Sequence, residues 1–517
     1  MSEQNTSVPV TRPLSWFDHA AALARLKEPG WLDDLFASVV ARRPALLIGN
    51  EWVEAGSERV VETFDPSTGR AVGRYAVADA SDVDAAVRAA EAAHPAWAAL
   101  SVEERGACFV RLADLIAEHG TELATLDAID AGLPVERMLN DVDGMLKVLH
   151  RWPGFAAALR GDVMPTTGGL HYTRHVPYGV VARLVAFNHP ILFAVKGSLA
   201  ALIAGNCLVL KPADQTPLSA LLLGDLIRQS FPPGVWNVVT GDAVTGDALV
   251  SHPAIRRIAF TGSVGTARKI QASAARDKIR SVSLELGGKN PMIVFPDVDV
   301  EAAARNLLFG MNLRANQGQS CGSMSRVFVH EDIYDEFEAA TASALGELTL
   351  GPAYDSAVDM GPLISEVQAD RVRAYVRSAI DEGARLVAGG PDDPRLPAEG
   401  HFVAPTLFAD VAPDMRIARE EVFGPVIALS RWSDLDAVVA AANDVDYGLA
   451  ASIWTNDLTT ALRTADRLDA GYVWVNDSTT HYWGMPFGGF KDSGLGREEC
   501  MEEMESFLQH KSVHVKL

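Results

Sequence analysis

The sequence predicts an α/β protein built on open, largely parallel sheets. From Val180 to Val294, short apolar segments that suit strands alternate with segments of helical periodicity. Such alternation is typical of parallel βαβ units. A second alternating series runs from Met292 to about Phe490. The chain has 517 residues, which is more than one core usually holds, so two or three domains are expected.

The N-terminal region precedes this pattern. Residues 1–45 are expected to form an extension of unknown role, with one amphipathic stretch at Trp16–Leu26. Strands are predicted at Ala45–Ile48 and Glu51–Val53, and a turn at Asp65–Gly69. These segments predict a β-rich opening before the helices.

Helical periodicity begins at Ser81, which with Asp82 can cap the first long helix. A second helix is predicted at Val102–His119 and is expected to stop at Gly120, with a third from Glu122 to Ile129. The first α/β series then predicts strands at 180–186, 207–211, 235–239 and 258–261, and helices at 191–203, 219–228, 243–252 and 264–275. The second predicts helices at 300–308, 332–345 and 366–382, strands at 327–329, 426–431 and 472–475, and an edge strand in the tail at 512–517.

Charge and composition exclude several classes of partner. The formal net charge of −22 would repel nucleic acids and anionic membranes at long range, so neither is expected. No secretory signal is recognisable, and the apolar region 180–210 is interrupted by polar residues, so it cannot supply a span of about 20 apolar residues. The four cysteines, Cys108, Cys207, Cys321 and Cys500, have no paired spacing, which argues against disulfides and against a metal site. The cytoplasm is therefore the expected compartment.

Cys321 is the first candidate for chemistry. It lies in Asn316–Gly322, where glycines stand on both sides and three amide side chains precede it. A lone cysteine is more often a small core residue. This composition, however, suits a turn whose N–H groups point at one spot, and a thiolate there would have a lowered pKa and would be reactive.

Glu285 is the second candidate. It stands between two leucines and is followed by Gly287 and Gly288. It could be an edge-strand carboxylate that faces solvent, or a general base whose pKa rises in a semi-apolar setting. Spacing alone does not choose between these interpretations.

Turns that follow predicted strands are the third group, because ligands of open α/β sheets bind at that edge. Asn188 could cap its turn or stabilise an oxyanion, and the neighbouring His189 is expected to be solvated. The turn that contains Gly262 and Ser263 could present N–H groups to a phosphate. Lys211 and Asp214 could hold ribose hydroxyls, although alone they would be an ordinary surface turn.

Four motifs together resemble those of the aldehyde dehydrogenase superfamily, in the family's order and approximate spacing. They are Leu284–Lys289, Gln317–Cys321, Glu420–Val426, and Pro486–Lys491 with Ser493 and Gly494. The resemblance begins near residue 47 and continues to the C-terminus.

The resemblance implies NAD(P)-dependent oxidation of an aldehyde to a carboxylic acid through a thiohemiacetal and a thioester on Cys321. It implies that Glu285 is the general base and that Asn188, with the Cys321 N–H, forms the oxyanion hole. The remaining implied roles are adenosine-ribose contacts at Lys211 and Asp214, pyrophosphate contacts at Gly262 and Ser263, nicotinamide contacts at Glu421 and Phe423, and a proton-relay acid at Glu498. NAD is the expected cofactor, with NADP as the alternative.

The family fold implies three domains. They are a Rossmann-like cofactor domain at 46–152 and 177–286, an α/β catalytic domain at 287–497, and a small β oligomerisation arm at 153–176 and 498–517. Homodimers or homotetramers are the usual assemblies.

Several positions depart from the family pattern. The family's lysine usually lies seven residues after the turn proline, where this chain has Gly197, and Lys196 stands one position earlier. Ala267 replaces the second glycine of the cofactor turn, and Asp214 replaces a commoner glutamate. An acid near the ribose 2′ position would repel a phosphate there, which favours NAD.

The same alignment implies the lining of a substrate pocket: Leu192, Lys196, Met311, Ala315, Ser320, Gly322, His481, Trp483 and Phe487. Ala315 is small and would widen the pocket, and the aromatic side chains provide apolar walls. A medium-sized aromatic or aliphatic aldehyde is therefore expected. Lys196 and Arg314 raise the alternative of a semialdehyde that bears a carboxylate. Less favoured alternatives are a coenzyme A-acylating dehydrogenase, an esterase and a non-catalytic protein on the same fold.

Overall fold

The computed structural model describes residues 16–517. It begins with helices α1 (His19–Arg25) and α2 (Trp31–Ala41), strands β1 (Leu46–Ile48), β2 (Glu51–Val53), β3 (Val60–Phe64) and β4 (Ala71–Ala76), and helices α3 (Ala80–Ala99), α4 (Val102–Ala131) and α5 (Val135–Ala158). Strands β5 (Val163–Thr166) and β6 (Gly169–Pro177) follow. The first α/β series comprises β7 (Val180–Leu184), α6 (Pro190–Ile203), β8 (Cys207–Lys211), α7 (Leu218–Ser230), β9 (Trp236–Val238), α8 (Ala243–Ser251), β10 (Arg257–Thr261), α9 (Val264–Ala274) and β11 (Ser281–Glu285).

The second series begins with β12 (Pro291–Val294), α10 (Val300–Gly310), α11 (Leu313–Asn316), β13 (Arg326–His330), a 3₁₀ turn (Glu331–Ile333), α12 (Tyr334–Gly346) and α13 (Glu366–Asp381). It continues with β14 (Arg385–Ala388), β15 (Thr406–Ala409), α14 (Arg416–Arg419), β16 (Val426–Trp432), α15 (Leu435–Asn443), β17 (Tyr447–Gly448), β18 (Ala450–Trp454), α16 (Leu458–Ala465) and β19 (Tyr472–Val475). The chain ends with β20 (Phe490–Lys491), β21 (Gly494–Leu495), α17 (Met501–Glu505) and β22 (Leu508–Lys516).

Two large sheets organise these elements and confirm the predicted α/β class. The first sheet has the order β2-β1-β9-β8-β7-β10-β11-β21, and the second has the order β14-β15-β16-β13-β12-β18-β19. Strands β9, β8, β7, β10 and β11 are parallel to one another. Every residue of β7, β8 and β10 is buried, as expected for parallel strands that are covered by helices on both faces. Their carboxyl ends therefore form one edge, where the predicted turns lie.

Helix α4 corrects one prediction from the sequence. The helix runs unbroken from Val102 to Ala131, so the expected stop at Gly120 is wrong. A Cβ at Gly120 would lie 2.5 Å from an atom of the Phe17 ring and 2.8 Å from Val142 Cγ1. Glycine is present because two neighbours approach the helix closely. The helix ends instead at Gly132, in the left-handed conformation with φ 72°.

The helices on either side of α4 also differ from the predictions. The predicted cap at Ser81 and Asp82 is displaced, because Asp79 is the N-cap of α3 and forms a capping box with Asp82. Helix α5, of 24 residues, was missed at the sequence level. It contributes one wall of the site described below.

The described part of the N-terminal extension packs on the first sheet's layer of helices. Trp16 stacks on His150 of α5, with ring centroids 4.5 Å apart, and Phe17 is buried. Arg42 pairs with Asp225 of α7 at 2.7 Å. Residues 16–45 therefore pack against the helices that cover the first sheet. The earlier part of the predicted extension lies outside the described residues.

A separate three-stranded sheet has the order β22-β6-β5. Strand β22 is its antiparallel edge, from Leu508 opposite Pro177 to Lys516 opposite Gly169, so the predicted tail strand begins four residues earlier than expected. Residues 153–158 of the predicted arm belong to helix α5. Within residues 16–517, no helix is both long and apolar enough to cross a membrane.

Candidate active site

Two cavities lie side by side within the molecule and share one wall. One has a volume of about 540 Å³ and lies along the carboxyl edge of the first sheet, and the other has about 710 Å³ and lies against α5 and α6. Both are lined by Asn188, Glu285 and Cys321. The structure therefore brings together the three residues that the sequence singled out for catalysis.

Cys321 lies in a loop that its own amide side chains hold rigid. The loop leaves α11 through Gln317 and Gly318, whose φ angles are 56° and 72°. The Gln317 side chain donates to the carbonyl of Gly132 at 3.1 Å, and Gln319 receives the N–H of Ile364 at 3.1 Å. These side-chain amides therefore have a structural role, because their hydrogen bonds hold the backbone of the loop in place.

Asn290 also holds the cysteine loop in place through hydrogen bonds, and it was not identified from the sequence. Its amide donates to the carbonyls of Cys321 at 2.7 Å and Ser323 at 3.0 Å, and it accepts the N–H of Ala450 at 3.0 Å. It therefore couples the cysteine loop to strand β18. Asn290 directly follows Lys289, the last residue of the motif that contains Glu285, and this position is the sequence feature that could have identified it.

The protonation of Cys321 corrects the predicted reactivity. Burial of the thiol, followed by the charges of Glu285, Glu421 and Glu498, raises the pKa of Cys321 to about 12. The lowering that was expected from the turn is absent, because burial and the three carboxylates outweigh the backbone donor. The thiol of the protein without ligands is therefore neutral at physiological pH.

Glu285 is the last residue of β11 and is 8% exposed. Burial and the carboxylate of Glu498 raise the pKa of Glu285 well above its ordinary value, although Arg497 and Arg183 oppose the shift. A Cβ at Gly488 would lie 2.8 Å from Glu285 Oε1, so that glycine leaves room for the carboxylate. The solvent-facing interpretation of Glu285 is wrong.

Asn188 precedes helix α6 and is 3% exposed. Within the described chain, no hydrogen bond engages its amide, which leaves the donors free toward the cavities. The expectation that His189 is solvated is wrong. Its Nδ1 lies 2.7 Å from Asp141 Oδ2 and its Nε2 lies 3.1 Å from Asn316 Nδ2, so the ring is held between α5 and the cysteine loop.

The smaller cavity is lined by every residue predicted for the cofactor: Lys211, Asp214, Gly262, Ser263, Glu421 and Phe423. Lys211 is the last residue of β8, is 8% exposed and donates to the carbonyl of Pro212 at 3.1 Å. Burial lowers the pKa of its ammonium group. The remaining donors of that group are available to hydroxyls in the cavity.

The start of α9 and the Glu421 loop bound the same cavity. Ser263 is the N-cap of α9, and a Cβ at Gly265 would meet no atom within 4 Å, so the helix N-terminus is open to a phosphate group. Glu421 accepts the N–H of Gly288 at 3.0 Å, and a Cβ at Gly287 would lie 2.3 Å from its carboxylate. The residues present therefore fit a dinucleotide. Ala267, at the position where a glycine was expected, is buried within α9.

The larger cavity is lined by all but one of the residues predicted for the substrate: Leu192, Lys196, Ala315, Ser320, Gly322, His481, Trp483 and Phe487. Met311 is wrong, because it is fully buried in the core of the second sheet's domain. The Trp483 ring packs at 4.9 Å from Trp152 and 5.3 Å from Phe155. Trp152 and Phe155 thus support the Trp483 ring from outside the cavity lining.

The cations of this region are arranged differently from the prediction. Lys196 pairs with Glu499, and Arg314 pairs with Asp359 at 2.6 Å and does not line the cavity. Burial opposes the ionisation of Glu499, but Lys196 and His481 outweigh it and lower its pKa to about 2. Three cations of α5 that were not predicted line the cavity: Arg137, Lys147 and Arg151.

Comparison with known proteins places this site in a family. The model of the aldehyde dehydrogenase family matches residues 52–513. The chain is 43% identical to an aldehyde dehydrogenase, tropH, of Talaromyces stipitatus, over 91% of this chain and 93% of that protein. It is 42% identical to a hydroxyisobutyraldehyde dehydrogenase of Mycolicibacterium austroafricanum, over 92% and 94%.

A solved structure agrees with the sequence relatives. The NAD⁺ complex of an aldehyde dehydrogenase from Bacillus cereus superposes with a TM-score of 0.90 at 38% identity, and covers 93% of this chain and 98% of that one. The resemblance inferred from the four motifs is thereby confirmed. The chain belongs to the aldehyde dehydrogenase family and is an NAD(P)-dependent oxidoreductase.

Proposed function

We propose that Cys321, Glu285 and Asn188 oxidise an aldehyde to a carboxylic acid through a thiohemiacetal and then a thioester on Cys321. The observation that carries the proposal is the shared wall, where these three residues border both cavities. A thiol at such a wall can meet an aldehyde from one side and a cofactor from the other.

The first step is addition of the Cys321 sulfur to the carbonyl carbon. The developing oxyanion needs donors that are already in place, and the unengaged amide of Asn188 and the Cys321 N–H supply them. The neutral thiol must first lose its proton, and the carboxylate of Glu285, which borders the same two cavities, is the group placed to accept it. A positive charge in the adjoining cavity would favour the thiolate, by the same electrostatic argument that makes the carboxylates disfavour it.

The cofactor, when bound, supplies a nicotinamide ring that accepts the hydride released from the thiohemiacetal. We infer that Lys211 and Asp214 hold the adenosine ribose, Gly262 and Ser263 the pyrophosphate, and Glu421 and Phe423 the nicotinamide ribose and ring. Asp214 favours NAD over NADP, since its carboxylate would repel a 2′-phosphate.

Hydrolysis of the thioester completes the reaction. Glu285 takes a proton from water as the water oxygen attacks the acyl carbon. The C–S bond breaks, the Cys321 sulfur leaves as a thiolate and the acid is released, and Glu498 accepts the proton from Glu285. A carboxylate with a raised pKa suits this role, because a general base works best when its pKa lies near the working pH. This base favours hydrolysis over acyl transfer to coenzyme A.

The substrate is a medium-sized aromatic or aliphatic aldehyde. Support comes from aromatic side chains that line the larger cavity, among them Trp474, Trp483 and Phe487, and from the small side chain of Ala315. A semialdehyde that bears a carboxylate is the second candidate. Arg137 and Arg151 favour it, since both line the same cavity, whereas Lys147 is engaged by Asp143.

We further propose that residues 46–152 and 177–286 bind the cofactor, that residues 287–497 carry the cysteine, and that the β5–β6–β22 sheet joins subunits in a homodimer or homotetramer. Val163, Met164 and Leu170 of that sheet are 64%, 61% and 40% exposed, and contact with another subunit would cover them. We also propose a cytoplasmic location.

The test of the catalytic proposal is NADH formation by the Cys321→Ala variant with benzaldehyde and with succinic semialdehyde. We expect no formation above background for the variant, and normal formation for the matched control Cys207→Ala, whose thiol is buried at the start of β8 and lines neither cavity. Retained activity in Cys321→Ala would refute the proposal. In the native protein, a higher kcat/KM for succinic semialdehyde than for benzaldehyde would select the second substrate class.

A further inference from the structure

Arg183 is a buried charge that the steps above do not use. It lies in β7, a fully buried strand at the middle of the first sheet, and its side chain is 3% exposed. Burying a guanidinium group in a sheet core is costly unless its charge is compensated. Its neighbours therefore show what compensates it.

The Arg183 guanidinium bonds to two side chains from different parts of the chain, which both belong to the wall that the two cavities share or adjoin. Its Nη1 lies 3.2 Å from Glu498 Oε1, and its Nη2 donates to Thr261 Oγ1 at 3.1 Å. Thr261 and Glu498 both line the larger cavity beside Glu285. The guanidinium therefore lies directly behind the wall.

Gly197 of α6 makes the space that this group occupies. A Cβ at Gly197 would lie 2.2 Å from Nη2 of Arg183 and 2.5 Å from its Cζ and Nε, so the guanidinium lies flat on the glycine backbone. The Nε has no hydrogen-bond partner among residues 16–517. A group packed for its hydrogen bonds alone would not leave a buried donor unpaired, which points to the charge as the reason for its position.

The charge faces a cluster of carboxyl groups. Glu285, Glu498 and Glu503 come from β11, from the segment before α17 and from α17, and Arg183 acts electrostatically on Glu285 and Glu503. The other charged groups around the cluster are Arg497, Arg257, Lys196, Glu499 and His481. Lys196 and His481 are engaged by Glu499, so Arg183 is the cation that bonds to the cluster through Glu498.

We propose that Arg183 is a positioning residue, which holds Glu498 beside Glu285 and provides a buried positive charge that, together with Arg497, allows Glu285 to ionise as the base. This inference rests on the proposed role of Glu285. Burial and Glu498 both raise the pKa of Glu285, and Arg497 and then Arg183 oppose them. Without that charge, Glu285 would stay protonated to a higher pH, and a protonated carboxyl group cannot take a proton from water.

The test is the pH profile of kcat/KM for the native enzyme and for Arg183→Gln and Arg183→Lys. The acid limb of Arg183→Gln should move to higher pH by roughly one unit, the usual effect of losing one nearby opposite charge. Arg183→Lys, which keeps the charge, should retain most of the native limb. The proposal is overturned if Arg183→Gln keeps the native limb, or if Arg183→Lys shifts as far as Arg183→Gln.

A matched control and a rescue separate this effect from loss of structure. Arg326→Gln removes another buried arginine, which binds the carbonyls of Lys289, Ala441 and Ala442, and should leave the acid limb in place. Arg183→Ala combined with Gly197→Lys exchanges the arginine for a cation from α6. The double variant should restore the limb that Arg183→Ala loses, whereas a purely structural role predicts no restoration.

A second readout does not depend on turnover. Difference infrared spectroscopy follows the C=O stretch of protonated carboxyl groups as pH rises, and Glu285→Gln identifies the band of Glu285. The band should persist to higher pH in Arg183→Gln than in the native protein. If Cys321→Ala retains activity, the proposed function fails while this measurement still decides the role of Arg183.

Discussion

At the scale of single residues, the site depends on charged side chains that lie outside the four recognised family motifs. Cys321, Glu285 and Asn188 could be predicted because each stands in a short, distinctive segment. Arg183, Asn290 and the α5 cations could not, because their importance arises from contacts between segments far apart in the chain. The prediction of a lowered cysteine pKa is wrong for the same reason: the burial of the thiol, which raises its pKa most, and the carboxylates that add to it arise from segments far from Cys321 in the chain.

The Glu285→Gln variant should lose 10² to about 10⁴ in turnover, the usual contribution of a general base. Its amide cannot accept a proton from water, so the thioester should accumulate on Cys321. Intact-mass spectrometry after mixing with NAD and aldehyde should show the added acyl group. Glu301→Gln, at an exposed position on α10, should turn over normally, and a Glu285→Gln enzyme with native turnover would contradict the assignment.

The raised pKa of Cys321 predicts how the thiol reacts with iodoacetamide. Because only the thiolate reacts and its pKa is about 12, the rate should rise about tenfold per pH unit up to pH 10, with no plateau. Adding NAD should speed the reaction at a fixed pH, since the positive ring favours the thiolate. Peptide mapping of the alkylated protein measures both effects, and a plateau near pH 8 without NAD would show that the thiol pKa is ordinary.

At the scale of elements, alternation of strands and helices was easy to recognise and helix ends were not. Strands β8 and β19 have the predicted bounds, because their short apolar runs contrast with the polar and glycine-containing segments beside them. Helix α4 was divided at Gly120 because a glycine that ends a helix and a glycine that makes room for a neighbour look the same in a sequence. The contact with Phe17 and Val142 that distinguishes them is tertiary.

Two glycine substitutions test this interpretation. Gly120→Ala should destabilise the protein by about 1–3 kcal/mol, because the added methyl group overlaps Phe17 and Val142. Gly154→Ala in α5 should instead stabilise it by about 0.5–1 kcal/mol, since its Cβ meets nothing within 4 Å and alanine favours a helix. Urea unfolding of both variants gives the two signs, and equal effects would refute the packing explanation.

At the scale of the whole molecule, the two large α/β sheets were predicted from the alternation of strands and helices, whereas the small β5–β6–β22 sheet was predicted from the family resemblance. The tail pattern predicted an edge strand, but nothing in it named β6 as the partner. That pairing joins residues more than 300 positions apart, and such distances are not visible in a single sequence.

Removal of residues 508–517 should abolish the proposed assembly. Without β22, strand β6 loses its whole antiparallel partner from Pro177 to Gly169, and the sheet that carries the exposed apolar side chains is disrupted. Sedimentation velocity should show smaller particles than for the native protein. Removal of Leu517 alone, which lies beyond β22, is the control and should change nothing; native-sized particles from the longer truncation would place the subunit contact elsewhere.

The separate walls of the two cavities have a consequence for the order of events in a catalytic cycle. One chamber is bounded by the turns after β8 and β10, the other by α5 and the segment around Trp483, and they adjoin at the cysteine. With cofactor and aldehyde in the cavities proposed for them, a carboxylic acid would leave, and the next aldehyde would enter, through the second chamber while the dinucleotide occupies the first. Exchange of one ligand would then not require departure of the other, so a slow release of reduced cofactor would limit turnover without trapping the acid.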